Sequence, residues 1–394
     1  MQAHAPHHRL QRCSLERLAG DCYADLAALR STAPVSYVPA RGGWLVSSHA
    51  LAVQVLCDWR LFTVQDPRFS TEQVVGASML SRDGAEHSRH RAPFAEPFRP
   101  KRVRARFGTR VAELVGELIE GFRDRGSADL RTELAMPLSV GVMAEVLGLP
   151  GTDTTTMLSW YAAISAGVTA LSRGGDCDGA ASVAFSELSA HLGSVIERGE
   201  DSLLVDAARS RAGLSTAEIV SNAAVSLFGG IETTEAMISI ALGHLLEHPD
   251  QLDLVRTDAY LIDNAVEESL RLEPAAAFVD RYATADTVLG GARVARGDLV
   301  AVSLTGANRD PAVFAEPDRF DARRAQARKH LAFAHGPHFC VGLDLARLQT
   351  ATVLAAVLDG LPGLRPAGRS LDPPRGLIFR KPATLRVRWD RATE

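Results

Sequence analysis

From Ser215 to the proline at 249 the chain runs for more than thirty residues with little to interrupt a helix. The stretch opens on Ser215-Thr216-Ala217-Glu218, a capping box in which a serine side chain and a glutamate three positions on satisfy each other's orphan N–H groups. A helix of that length extends roughly 50 Å. It is apolar and must cross most of the molecule, so the rest of the chain has to pack around it. Near its middle lies Phe228-Gly229-Gly230-Ile231-Glu232-Thr233-Thr234. Each interior glycine costs on the order of 1 kcal/mol relative to alanine. Either the pair lets another helix pack closely, or it makes room for a bound group and opens a local kink. Glu232 and Thr233 then place a carboxylate and a hydroxyl at the opening.

A second stretch carries nucleophile chemistry: Phe333-Ala334-His335-Gly336-Pro337-His338-Phe339-Cys340-Val341-Gly342, with a helical segment over residues 343–358 behind it. Glycines on both sides let the backbone fold round the sulfur and aim N–H groups at it, which stabilises a thiolate. A thiolate at a helix start is a good axial ligand for haem iron; the other reading of Cys340 is a buried free cysteine. Upstream, residues 83–91 read as a helix on which His87 and Arg91, four apart, share a face. That pair suits two carboxylates, or it is a solvated basic face. Glu268 and Arg271, three apart on a helix over 258–272, can form an ion pair.

These motifs, in this order and over nearly the whole chain, resemble the cytochrome P-450 family. The resemblance implies a mainly α fold: a helical prism with small β-sheets, and haem b (iron protoporphyrin IX) between the long helix and the cysteine loop. It makes Cys340 the iron ligand, with Phe333 and Gly342 shaping the loop, and it sends His338, His87, Arg91 and Arg281 to the haem propionates. Gly229 stands where alanine is more common, and Glu232 with Thr233 form the acid–alcohol pair of the oxygen side. Glu268 and Arg271 belong to a structural network whose third member is Arg319, with Arg324 the nearest competitor. The substrate-lining positions implied are Met79, Leu80, Val225, Ala277, Phe278, Val279 and Ile378. The mainly apolar character of that set suits a medium-sized apolar substrate. The helices over 154–167 and Gly179–Arg198 would form a lid around a flexible loop at 173–176.

The activity implied is insertion of one oxygen atom of O2 into an organic substrate, by hydroxylation or epoxidation, in bacterial secondary metabolism. Electrons would come from NAD(P)H through a ferredoxin reductase and a ferredoxin. Two other readings are a peroxygenase on the same fold, and a non-catalytic haem protein that recruits a carrier or senses a ligand. Retention of Glu232 and Thr233 argues against both. The cluster Arg99, Lys101, Arg102, Arg104, Arg106 and Arg110 is either a helix surface or a docking patch for an acidic redox partner.

Composition adds boundaries. A formal charge of −4 over 394 residues does not suggest a nucleic-acid binder. Five cysteines (Cys13, Cys22, Cys57, Cys177, Cys340) are odd in number, scattered and without a Cys-x-x-Cys pair. That argues against disulfides and zinc and for a reducing, cytoplasmic setting. Residues 1–13 are polar and His-rich, with no apolar run for a signal or membrane anchor. No linker or repeat interrupts the chain, so a single domain over 1–394 is expected. Further expectations are one helix over 14–30, strands at Val35–Val38 and 43–47, a helix at His49–Cys57 and a mobile loop over 66–82. Two helices broken at Gly126 are expected over 109–149, ending near Pro150. A hairpin over 290–302 and strands over 376–389 complete the reading.

Overall fold

A computed structural model describes residues 14–149, 151–177, 179–199 and 202–391; the expectations for residues 1–13 and Pro150 lie outside them. The long helix spans Thr216–Glu247, and both bonds of the capping box at Ser215 and Glu218 are present. It is long and apolar enough to cross a membrane, yet 78% of its most apolar window is buried inside the protein. It is the axis of the largest hydrophobic core, which draws on residues from Val74 to Trp389. Around it stand Met136–Leu147, Thr154–Ser172, Gly179–Arg198, Ile262–Leu272 and Leu343–Gly360.

Helical backbone continues through Gly229 and Gly230. The two glycines do different things. A Cβ on Gly230 would lie 2.3 Å from the sulfur of Met143 on the neighbouring helix, whereas one on Gly229 would meet nothing within 4 Å. Gly230 serves close packing and Gly229 leaves space.

The main sheet has five strands in the order Val35–Val38, Gly43–Val46, Leu299–Ser303, Phe278–Ala283, Phe62–Thr63. Gly43–Val46 runs parallel to Leu299–Ser303, and the other pairs are antiparallel. On Phe278–Ala283 side chains alternate, which separates Val279 and Arg281 from Asp280, the partner of Arg41.

Several local expectations are corrected. Residues 14–30 form two helices, Leu15–Ala19 and Tyr23–Thr32, because the chain turns at Gly20. The stretch 66–82 is not a loose loop. It contains the helix Ser70–Val75, an Arg82–Glu72 ion pair at 2.7 Å and a bond from the Met79 N–H to Asn222 Oδ1 at 2.7 Å. The basic cluster lies on Pro100–Glu120, and a short strand, Ser127–Asp129, precedes Met136–Leu147. The hairpin straddles Gly290 and Gly291, joining Thr287–Leu289 to Ala292–Val294. Within 376–389 the described strand is Arg386–Arg388, plus isolated bridges Ala276↔Phe379 and Arg375↔Lys381.

Two buried networks hold Ile262–Leu272 in place. Glu268 takes the Arg271 guanidinium at 2.7 Å and that of Arg324 at 2.8 Å. Arg319 is not the third side chain: it is exposed and pairs with Glu316 at 3.3 Å. Its backbone carbonyl does join, accepting from Arg271 and Arg324. The turn after Pro317 points the Arg319 side chain to solvent and brings the later arginine inward. Next to this set, Glu267 accepts from Arg347 at 2.6 Å and lies 3.0 Å from His330 Nε2.

Candidate active site

The cysteine loop is shaped by two close approaches. Gly336 has φ +70°, and a Cβ there would come within 2.4 Å of the Leu56 carbonyl oxygen, so only glycine fits. The Cys340 N–H donates to the Phe333 carbonyl at 2.9 Å, which closes the loop on itself. The Phe333 ring is covered by the Arg347 guanidinium at 4.8 Å and lies beside His330. Gly342 caps Leu343–Gly360, and a Cβ there would meet open space. Burial pushes the Cys340 thiol up, while the Gly342 N–H and the Arg91 and Arg347 guanidiniums pull it down.

Cys340 opens into a cavity of about 330 Å³ between this loop and the long helix. Arg91, Arg281, His338, Phe333, Gly342, Gly229 and Thr233 line it. Arg91 donates to the Phe339 carbonyl at 2.5 Å. Arg281 is buried, which pulls its guanidinium down to about 10, and it donates to its neighbour's carbonyl at 2.8 Å. His338 Nε2 lies 2.8 Å from Asp83 Oδ1. Asp83 also accepts from the Thr63 hydroxyl and the Val64 N–H. His87 is not itself a lining residue. Its ring packs 4.3 Å from that of His338, and its buried Nε2 has no hydrogen-bond partner among the described residues. Burial first, then the His338 and Arg91 charges, pulls His87 down to about 4. Donors from three separate elements thus gather at one end of the cavity.

These residues fit a flat, iron-centred group carrying two carboxylates. A sulfur faces the cavity, Gly229 and Gly342 leave room without a Cβ, and His87, beside His338 and Arg91, holds an unspent nitrogen. Sequence reading missed Asp83, whose role appears only when its three partners from other segments are brought to it.

On the other side, Thr233 lines the cavity, and its hydroxyl donates to the Gly229 carbonyl at 2.6 Å. Glu232 is turned away from it. Its carboxylate takes the Tyr161 hydroxyl, the Ser165 hydroxyl at 3.1 Å and Lys381 Nζ at 3.0 Å. Met79, Leu80, Val225, Phe278, Val279 and Ile378 line the cavity. Ala277 does not: it is fully buried against Leu18 and Leu45, with its N–H on the Ile378 carbonyl. Ala275 and Ala276 line the wall in its place. Phe379 lines the cavity too, as the resemblance implies for the turn at 377–379; Phe228, edge to face with it at 5.2 Å, and Phe69, Ser70, Val168 and Ser172 were not anticipated. Nothing local marks Ser70, Val168 and Ser172; they reach the wall because Ser70–Val75 and Thr154–Ser172 pack against each other and the long helix.

The family description "Cytochrome P450" matches residues 198–361. The chain is 34% identical to cytochrome P450 monooxygenase PikC of Streptomyces venezuelae, over 95% of this chain and 93% of that protein. It is 35% identical to nocardicin C N-oxygenase of Nocardia uniformis, over 94% and 96%. Among solved structures, CalO2 superposes with a TM-score of 0.87 at 30% identity, covering 96% of this chain and 100% of the other. P450BioI in complex with an acyl carrier protein bearing hexadec-9Z-enoic acid gives 0.86 at 26% identity, covering 95% and 100%.

Proposed function

The chain belongs to the cytochrome P450 family, haem-thiolate monooxygenases, and from that we propose that it inserts one oxygen atom of O2 into a C–H or C=C bond of an uncharged, largely apolar molecule in secondary metabolism. The single observation that carries the assignment is Cys340 opening into the cavity opposite Thr233. The haem, when bound, supplies the oxidising chemistry, with the thiolate donating electron density to iron. Cys340 is the proposed ligand; Arg91, Arg281, His87 and His338 are proposed to hold the propionates. Thr233 is proposed to orient a hydrogen bond over the iron, and Glu232 to serve the proton supply. We read residues 1–394 as one domain in a cytoplasmic setting.

The substrate class follows from the charges facing the cavity. Arg91 and Arg281 are the proposed propionate partners, and Asp280 is already paired with Arg41 at 2.5 Å. That leaves no lining charge for a substrate ion among the described residues. The hydroxyls of Ser70 and Ser172, 3.0 Å apart, offer hydrogen bonds to a hydroxyl or carbonyl oxygen on an apolar body. A ferredoxin is the proposed electron donor, docking on the exposed Lys101, Arg102, Arg104 and Arg106, whose helix packs on the one that follows Cys340.

The test is spectroscopic. The reduced protein with carbon monoxide should show the red-shifted haem-thiolate band, and Cys340→Ser should abolish it; a normal band in the mutant would remove Cys340 from the iron. Thr233→Ala should go on consuming NAD(P)H while forming less product and more hydrogen peroxide. Losing a positioned donor costs about 10²-fold or more, and full coupling in the mutant would end Thr233's role.

A further inference from the structure

Lys381 sits where three parts of the cavity wall meet. Its ammonium lies 3.0 Å from Glu232 Oε1 and 2.9 Å from Glu235 Oε2, both on the long helix. It also donates to the Tyr161 hydroxyl at 2.9 Å, and Tyr161 donates onward to Glu232. Arg131 Nε lies 2.8 Å from Glu235 Oε1, so two cations face two carboxylates in the buried cluster. Burial and the two nearby carboxylates push the Tyr161 phenol up, which keeps it a donor.

The lysine ends a stiff turn. Arg375 and Lys381 exchange backbone bonds at 3.0 and 3.2 Å, and Gly376, at φ +134°, is so close to Phe379 that a Cβ would overlap its carbonyl. Within that turn Ile378 and Phe379 line the cavity. Arg380 anchors its other side, donating to Glu273 at 2.6 Å and to the Gly20 carbonyl at 2.9 Å. On Thr154–Ser172, the residues Tyr161, Ser165, Val168 and Ser172 recur at helical spacing on one stripe. The first two hold Glu232 and the last two line the cavity.

We propose that Lys381 is a positioning residue that latches the helix Thr154–Ser172 onto the turn carrying Ile378 and Phe379, so that the Lys381–Tyr161–Glu232 contact sets how long a molecule stays in the cavity. This rests on the cavity being the substrate site. A ligand that moves Phe379 pulls, through a rigid turn, on the same ammonium that holds the covering helix.

The experiment uses holoenzyme with Lys381→Met, Tyr161→Phe and both together. Hydrogen–deuterium exchange is followed over 154–172, and release of 4-phenylimidazole from ferric haem is followed by stopped flow. Each single change should speed both processes about tenfold, and the double change should add no more, since members of one network are not additive. Lys381→Arg should restore slow exchange in part. Additive effects, no change, or an equal rise in Ile262–Leu272 would overturn the latch. If Lys381→Met does not fold, Tyr161→Phe with Glu232→Gln carries the same non-additivity test. Absence of an azole spectrum would instead refute the haem assignment, while exchange still decides the latch.

Discussion

Glu268, Arg271 and Arg324 meet with side chains 0%, 0% and 7% exposed, and each guanidinium also spends its remaining N–H groups on backbone carbonyls. Removing one partner of such a set leaves an uncompensated buried charge, at about 3–5 kcal/mol. Arg324→Ala should therefore lose roughly that much in chemical denaturation. Arg319→Ala, on a side chain 59% exposed, should stay within about 0.5 kcal/mol. Equal losses would return Arg319 to the network. The sequence offered two arginines five apart; only the turn between them decides which side chain reaches the carboxylate.

At the scale of elements, the long helix keeps two glycines for separate reasons, and alanine separates them. Gly229→Ala adds a methyl to open space and gains helix propensity, about 1 kcal/mol. Gly230→Ala must displace Met143, and overpacking of this kind costs about 1–3 kcal/mol. Thermal unfolding of the haem-free protein should rank Gly229→Ala above wild type and Gly230→Ala below it. Met143 also lines the cavity, so Gly230→Ala should shift ligand affinity too. At the start of Pro100–Glu120, the capping Arg99 and Arg102 share Glu96 at the surface, at 2.7 and 3.1 Å, while Lys101, Arg104 and Arg106 are exposed. Reversing two of those charges should slow reduction by an acidic ferredoxin at low salt. The difference should shrink as ionic strength brings the Debye length to about 10 Å at 0.1 M. A rate indifferent to both charge and salt would move the docking face elsewhere.

For the whole molecule, Glu267 links acid stability to the cysteine loop. Burial pushes its carboxyl up, but hydrogen bonds from His330 and Arg347 outweigh that and hold it at about 2, against an ordinary 4.5. Between those values the unfolded chain binds the proton more readily than the fold does. The stabilisation, about 3 kcal/mol, is present above about pH 4.5 and is lost as pH falls towards 2. Arg347→Gln should flatten denaturation midpoints across that window. Because Arg347 also covers Phe333, it should perturb the haem spectrum as well. An unchanged acid profile would detach Glu267 from stability there.

What the sequence by itself determined is what local chemistry carries. The capping box and uninterrupted apolar run specify the long helix. A cysteine between glycines specifies a tight loop, and residues at i and i+4 place His87 and Arg91 on one face. These are short-range and need no knowledge of the neighbours. Tertiary structure alone decided the rest. It chose Arg324 over Arg319, buried Ala277 and admitted Phe69, gave Asp83 to His338, and turned Glu232 from the cavity toward Tyr161 and Lys381. Each of those outcomes depends on which side chain reaches a partner up to some 250 residues away, and no periodicity within a segment encodes that distance.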